Sequence, residues 1–343
     1  MKGLCVMAIV ALIGLQTATG YTRQDLSCGG RMDYSKPVCH NIPKHAHKKC
    51  DVYNQWSHHL FGTSQKCWGK LNPACRGMRQ SPININEHKV EPNHNYGDLC
   101  ITGPHHLKVH IHNTGHDLQA KLDESSSRAT LVTGGPLGNK KYRVLQFHFH
   151  FASHPGGKGS EHSINCHFSD IEMHIVLQNV AYGSFDVAKD HRDGLSVIAV
   201  MLSEDVRPNT VSNAMRNNPS WSQYYINTLI YYASLRKHCD LHEVPGNTRF
   251  SLFHLLPSDY ARNYYAYGGS LTTPPCSESV SWIIMRTRFH INRYHLNLLK
   301  DVSLLSRYHR GFEPMSQNKR NLQLLNNRKV YYPAGHGRCP SRG

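Results

Sequence analysis

Short apolar runs of roughly four to ten residues recur along most of the chain, cut apart by Gly, Pro, Asn and Asp. Leu107–His112, Tyr142–Phe151, Ile171–Leu177 and Ser196–Leu202 are the clearest, each rich in β-branched and aromatic residues. That texture predicts strands. Helical periodicity is rarer, and Tyr224–Arg236 is its best case. Together these patterns predict a mostly β fold with a few peripheral helices, of the α+β class. No internal repeat and no low-complexity tract interrupts them.

The two ends have a different texture. Lys2 is followed by an apolar run from Leu4 to Leu15 and then by small residues ending Ala18-Thr19-Gly20. The run is too short to cross a bilayer, so residues 1–20 read as a secretory signal peptide. No later stretch reaches 18 consecutive apolar residues, so no membrane span is expected. Residues 21–55 are rich in Cys, His, Lys and Asn, with little periodicity. Cys28, Cys39 and Cys50 recur there at intervals of eleven, which predicts a small disulfide-tied extension. The strand-bearing domain then runs over residues 56–332. Residues 333–343 form a tail that Cys339 can tie down.

Composition agrees with export. Eleven cysteines include Cys5 in the signal, which leaves ten, and an even number in an exported chain reads as disulfides rather than free thiols. The formal charge is +16, or +15 without Lys2, with 26 histidines besides. Such a balance favours acidic partners, including acidic components of an extracellular matrix, and small anions. Nucleic acid is not expected, because no helix-turn-helix pattern, finger spacing or basic run interleaved with aromatics is present.

The segment Gln146-Phe-His-Phe-His-Phe151 carries the most chemistry. On a strand His148 and His150 share one face, while Phe147, Phe149 and Phe151 share the other. Two imidazoles two residues apart can reach one small ion, and His174 on the run Ile171–Leu177 offers a third nitrogen. Three neutral imidazoles with a fourth tetrahedral position open suit a catalytic zinc. His-x-His alone is a weak signal among 26 histidines; His110 and His112 form another such pair. Gln146 and Glu172 strengthen it. Each lies two residues before a histidine on the same face, where it can accept the far N–H of the ring and fix its tautomer.

Gln146-Phe-His-Phe-His150, Gly159-Ser-Glu-His-Ser163, Glu172-Met-His174 and Gly269-Ser-Leu-Thr-Thr-Pro-Pro-Cys276 resemble, in order, the signature segments of the alpha-class carbonic anhydrases. Gln80-Ser-Pro-Ile-Asn84, Asn113-Thr-Gly-His116 and Leu324-Asn-Asn-Arg-Lys-Val330 extend the resemblance from about Trp56 to Tyr332. It implies a single domain around a large, twisted, mainly antiparallel central sheet. It also implies Zn2+ held by His148, His150 and His174, and reversible hydration of carbon dioxide to bicarbonate and a proton. Thr272 would hydrogen-bond the nucleophile and pass its own hydroxyl proton to Glu161, and Thr273 would contact bicarbonate. Val176, Val197, Leu271, Val280 and Trp282 would form the apolar wall where carbon dioxide rests. His116 would export the proton, with Gln119 in the polar lining between it and the metal. The exported members of the family resemble this chain in joining the positions of Cys75 and Cys276 by a disulfide. The family also has cis peptides at the positions of Ser81-Pro82 and Pro274-Pro275.

Three features depart from the family pattern. Phe151 stands where Trp usually follows the second ligand. The tyrosine that usually follows the first Trp-Gly has no counterpart. The extension bearing Cys28, Cys39 and Cys50 is not general, and with the spacing from Cys50 through Trp56 to Cys75 it resembles nacrein-like proteins of molluscan shell matrix. Bicarbonate supply to calcium carbonate mineral, from a secreted or shell-matrix location, is the expectation that follows. Nacrein's Gly-Asn-rich repeat is absent, since Glu204–Asn218 is short and holds none, so calcium binding through a repeat is not expected. The rival reading is a matrix protein that keeps the fold without the activity. All three zinc-binding histidines, Glu161 and Thr272 are present, which favours the enzyme. Ester hydrolysis by the same centre would be a side activity.

Overall fold

The computed structural model describes Gln65, residues 68–104, 106–114, 116–152, 157–204, 241–243, 251–291, 293–300, 305–306, 313–314, 317–337 and Cys339. The expected signal peptide, the expected extension with Cys28, Cys39 and Cys50, the expected helix Tyr224–Arg236, and Cys67 and Cys239 lie outside the described residues.

The strand-like runs become strands of one 13-stranded sheet. Those that matter for function are β1 (Val109–Asn113), β2 (Leu118–Leu122), β3 (Tyr142–Phe151), β4 (Ile171–Asn179), β5 (Leu195–Glu204), β6 (Leu241–Glu243), β7 (Tyr264–Gly269) and β8 (Val280–Met285). Their order across the sheet is β6-β1-β2-β3-β4-β5-β8-β7, continued by Tyr331–Pro333 and Glu91–Asn93. Pairing is antiparallel from β6 through β5, and turns parallel where β5 meets β8. The sheet is therefore mixed, though mainly antiparallel as expected. Helices are few and short; among the described residues the longest is Arg293–Lys300.

Both faces of the sheet are covered. Phe147, Phe149 and Phe151 of β3 join Ile171, Met173, Ile175 and Leu177 of β4 in a core on one side. Each of these is 0 or 1% exposed, and burial of one such side chain contributes about 1.5–3 kcal/mol. The other face carries a smaller apolar cluster around Val176, Val197, Ala199, Val280 and Trp282. With apolar groups on both faces, β4 is buried at all nine positions.

One irregularity decides which side chains look where. The register of β3 against β4 slips between Val144 and Gln146. Tyr142 and Val144 therefore belong to the large core, whereas Gln146 lies opposite Val176 on the other face. Without the extra residue, Leu145, simple alternation would put positions 142 to 150 of even number on one face. A bulge of this kind re-aims the strand beyond it.

Two disulfides are complete among the described residues, and Cys166 is also disulfide-bonded. Cys75–Cys276 spans 201 residues, as the resemblance implied; a closure that long is worth about 5 kcal/mol in the chain-entropy account. Cys100–Cys339 spans 239 residues. It ties the C-terminal segment to the strand Leu99–Thr102, and Ala334 and Gly335 donate N–H to Asn93 and Tyr96 carbonyls beside it. Ser81-Pro82 and Pro274-Pro275 are both cis.

Candidate active site

Past the bulge, Gln146, His148 and His150 of β3 project to the face opposite the phenylalanine core. His148 stands in register with His174 of β4, and His150 with Glu172. The three imidazoles gather with ring centres 4.4 to 5.2 Å apart. Each has its outward nitrogen committed. His148 Nδ1–H donates to Gln146 Oε1 at 3.0 Å, and His150 Nδ1–H donates to the Asn318 carbonyl at 2.7 Å. His174 Nε2–H donates to Glu172 Oε1 at 2.7 Å. A neutral imidazole has one N–H, so His148 Nε2, His150 Nε2 and His174 Nδ1 each present a lone pair inward.

The convergence is close. His148 Nε2 and His150 Nε2 lie 3.1 Å apart, and one ligand atom from each of the three rings falls within 4.8 Å of the others. Burial, followed by the like charge that neighbouring imidazoles would carry, holds His148 well below the ordinary histidine value; His174 is lowered for the same reasons. Protonation therefore does not relieve the facing lone pairs at neutral pH, whereas a cation would. Three nitrogen donors with fixed tautomers and a dry wall fit zinc.

The carboxylate behind His174 is saturated. Glu172 is 0% exposed. Its Oε1 accepts the ring N–H groups of His174 and His162 at 2.7 Å each, and its Oε2 accepts the backbone N–H groups of Glu161 and His162 at 2.8 and 2.7 Å. Burial alone would raise its pKa, but His162 and His174 and their hydrogen bonds hold it well below the usual carboxylate range. The Tyr267 hydroxyl lies 2.7 Å from His162 Nε2, to which it donates, and 2.8 Å from Ser81 Oγ.

Glu161 is also fully buried. Its Oε1 accepts the Arg320 backbone N–H at 2.7 Å. Its Oε2 has no hydrogen-bond partner and points into the histidine cluster, 3.5 Å from His150 Nε2 and 3.9 Å from His174 Nδ1. The expected bond from the Thr272 hydroxyl to this oxygen is not made in this structure. Thr272 is buried and Thr273 half-buried. Their loop is closed by Leu271 N–H to Ser277 O at 3.0 Å, by Cys276 N–H to Thr273 O at 2.8 Å, and by the Cys75–Cys276 disulfide.

The five apolar wall residues share one cluster. Val176, Val197, Val280 and Trp282 are no more than 5% exposed, and Leu271 packs against them. Val176, Val197 and Trp282 form one row across three strands. The Trp282 ring lies 4.9 Å from that of His174, and its Nε1–H donates to the Ser270 carbonyl at 3.0 Å. Gln119 of β2 stands opposite His148. His116 occupies the turn between β1 and β2, 9% exposed, with its carbonyl accepting from Asn318 Nδ2 at 3.2 Å. Phe151 lies in the phenylalanine core on the far face. Lys70 follows Trp68-Gly69 and is exposed.

Sequence reasoning missed Asn318 and Arg320. Asn318 Nδ2 donates to the Phe149 carbonyl at 2.9 Å, its Oδ1 accepts Phe151 N–H at 2.8 Å, and its own carbonyl holds His150. The Arg320 guanidinium donates to Gln80 Oε1 at 2.9 Å and to the Ser81 carbonyl at 2.8 Å. Both act on the site in part through backbone groups, which residue type does not reveal.

The sequence profile of the eukaryotic-type carbonic anhydrases matches residues 63–334. Carbonic anhydrase 15 of Mus musculus is 32% identical over 272 residues, which cover 77% of this chain and 78% of that protein. Carbonic anhydrase 6 of Homo sapiens is 32% identical over 284 residues, covering 81% and 82%. Carbonic anhydrase 7 of Homo sapiens is 32% identical over 257 residues, covering 73% and 88%. A large mixed sheet bearing a buried three-histidine cluster, with family likeness over most of its length, identifies this chain as a member of the eukaryotic-type, or alpha, carbonic anhydrases, enzymes that hydrate carbon dioxide.

Proposed function

We propose that this carbonic anhydrase is a zinc enzyme that works outside the cell, with His148, His150 and His174 as the metal ligands. The observation that carries the reading is the inward convergence of three imidazole nitrogens whose outward N–H groups are all committed. Zinc, when bound, supplies a nucleophile at neutral pH by lowering the pKa of a water it holds to about 7.

The chain's own residues do the rest. Glu161 offers Oε2, its open oxygen, to the Thr272 hydroxyl, so that the Thr272 oxygen can in turn accept a hydrogen bond from the nucleophile and aim it. Val176, Val197, Leu271, Val280 and Trp282 supply a poorly hydrated wall for an uncharged substrate. Thr273 contacts bicarbonate as it forms, and His116 takes the released proton toward buffer. Gln146 and Glu172 hold the ring tautomers.

The signal-like leader, the disulfides and the basic balance support an extracellular setting with acidic matrix components as partners. Bicarbonate supply for calcium carbonate biomineralisation rests on the likeness of the cysteine-bearing extension to nacrein-like shell-matrix proteins. His174→Ala should abolish stoichiometric zinc in the purified protein. Metal analysis that still finds one zinc per chain would refute the ligand assignment.

A further inference from the structure

His110 and His112 form a second His-x-His pair, and the fold puts one of them in line with the histidine cluster. Val109 and Ile111 of β1 are each 2% exposed in the large core, so alternation turns His110 and His112 to the opposite face. Registers across four strands put His112, Gln119, His148 and His174 in a single row on that face. Neighbouring strands are about 4.8 Å apart, which puts the His112 backbone roughly 10 Å from that of His148. That span is too long for direct contact and suits a relay of two or three waters at about 2.8 Å spacing.

We propose that His112 is a second proton-exit residue of this enzyme, carrying protons released by carbon dioxide hydration to buffer alongside His116. The step balances simply: water and carbon dioxide give bicarbonate and a proton, a neutral imidazole nitrogen takes that proton, and the imidazolium gives it to external buffer. The inference rests on the zinc-enzyme reading above.

Exposure favours the role. His112 is half-buried and so keeps contact with solvent, whereas His150 and His174 are 2% and 1% exposed and His116 is 9% exposed. Charge favours it too. Burial lowers the His112 pKa, Asp117 in the adjoining turn raises it, and Lys121 on β2 lowers it, for a net lowering. The ring is then mostly neutral at pH 7 and ready to accept. On the other side Leu241 and Glu243 of β6 stand in register with His112 and His110. His110 sits one row further out, opposite Lys121, and serves as the control.

The test uses the full, zinc-loaded chain with His112→Ala, His110→Ala, His116→Ala and the double variant lacking both His112 and His116. Hydration in weak buffer should fall several-fold with His112→Ala, fall further in the double variant, and recover with added imidazole. His110→Ala should match wild type, and isotopic carbon dioxide–bicarbonate interconversion, which needs no proton export, should hold in all four. A readout independent of turnover is NMR titration of the His112 ring. Its midpoint should lie below 6.5 and rise in Lys121→Gln. His112→Ala indistinguishable from His110→Ala, alone and in the His116→Ala background, overturns the proposal while leaving the enzyme reading intact. So does a His112 ring that fails to titrate between pH 5 and 8. A wild-type protein with no hydration even in strong buffer overturns both.

Discussion

Glu172→Gln is the smallest change that should disable the support behind the metal site. Glu172 is 0% exposed and accepts four N–H donors, two at each oxygen. Glutamine keeps one acceptor oxygen and replaces the other with an NH2 group. In either amide orientation one pair of donors then faces an amide nitrogen. A buried donor without its acceptor costs about 1–3 kcal/mol, so two give about 2–6 kcal/mol before any loss from the missing charge. When the nitrogen faces the rings, His174 loses the acceptor that keeps its proton on Nε2 and its Nδ1 free. Changes of this kind behind a ligand typically cost about 10–100-fold in metal affinity. Urea unfolding of the metal-free protein reads the first effect, and zinc competition against a chelator reads the second. Stability within about 0.5 kcal/mol of wild type, with unchanged zinc affinity, would refute the claim that Glu172 orders His174.

Two other perturbations probe the same region. A Cβ on Gly159 would lie 2.2 Å from the Phe151 Cα. Gly159→Ala should therefore displace the segment carrying Glu161 and cost about 1–3 kcal/mol or more, with a normal melting temperature as the contrary result. In zinc-free protein, His148 and His174 are held below 6.5, chiefly by burial. The unfolded chain takes up protons near pH 6.5 and the folded chain does not, so stability should fall as pH drops below 6.5. The slope has a ceiling of about 1.4 kcal/mol per pH unit for each histidine; unfolding curves at pH 7.5, 6.5 and 5.5 that show flat or rising stability on acidification would contradict this.

Much of the sheet was legible because strand alternation is a local signal. Tyr142–Phe151 begins and ends where the sequence predicts, and Ile171–Leu177 and Ser196–Leu202 are each extended by a few residues. His148 and His150 on one face followed from the same alternation. The bulge at Leu145 did not, since nothing in the residue types marks an extra position, yet it decides that Tyr142 and Val144 join the core rather than the face of Gln146 and the histidines. The pairing of His148 with His174 is non-local, and family resemblance rather than spacing pointed to it. Asn318 and Arg320 were invisible for a different reason. They serve His150 and Glu161 through a backbone carbonyl and a backbone N–H, 168 and 159 residues away in sequence. The parallel contact of β5 with β8 joins distant segments, and no turn signal between them announces it.

The most direct test of the account is stopped-flow carbon dioxide hydration by the full, disulfide-oxidised protein, with metal analysis on the same sample. The account predicts fast hydration with one zinc per chain. One zinc per chain with hydration no faster than the uncatalysed reaction would contradict it, and would leave a matrix protein built on a carbonic anhydrase fold.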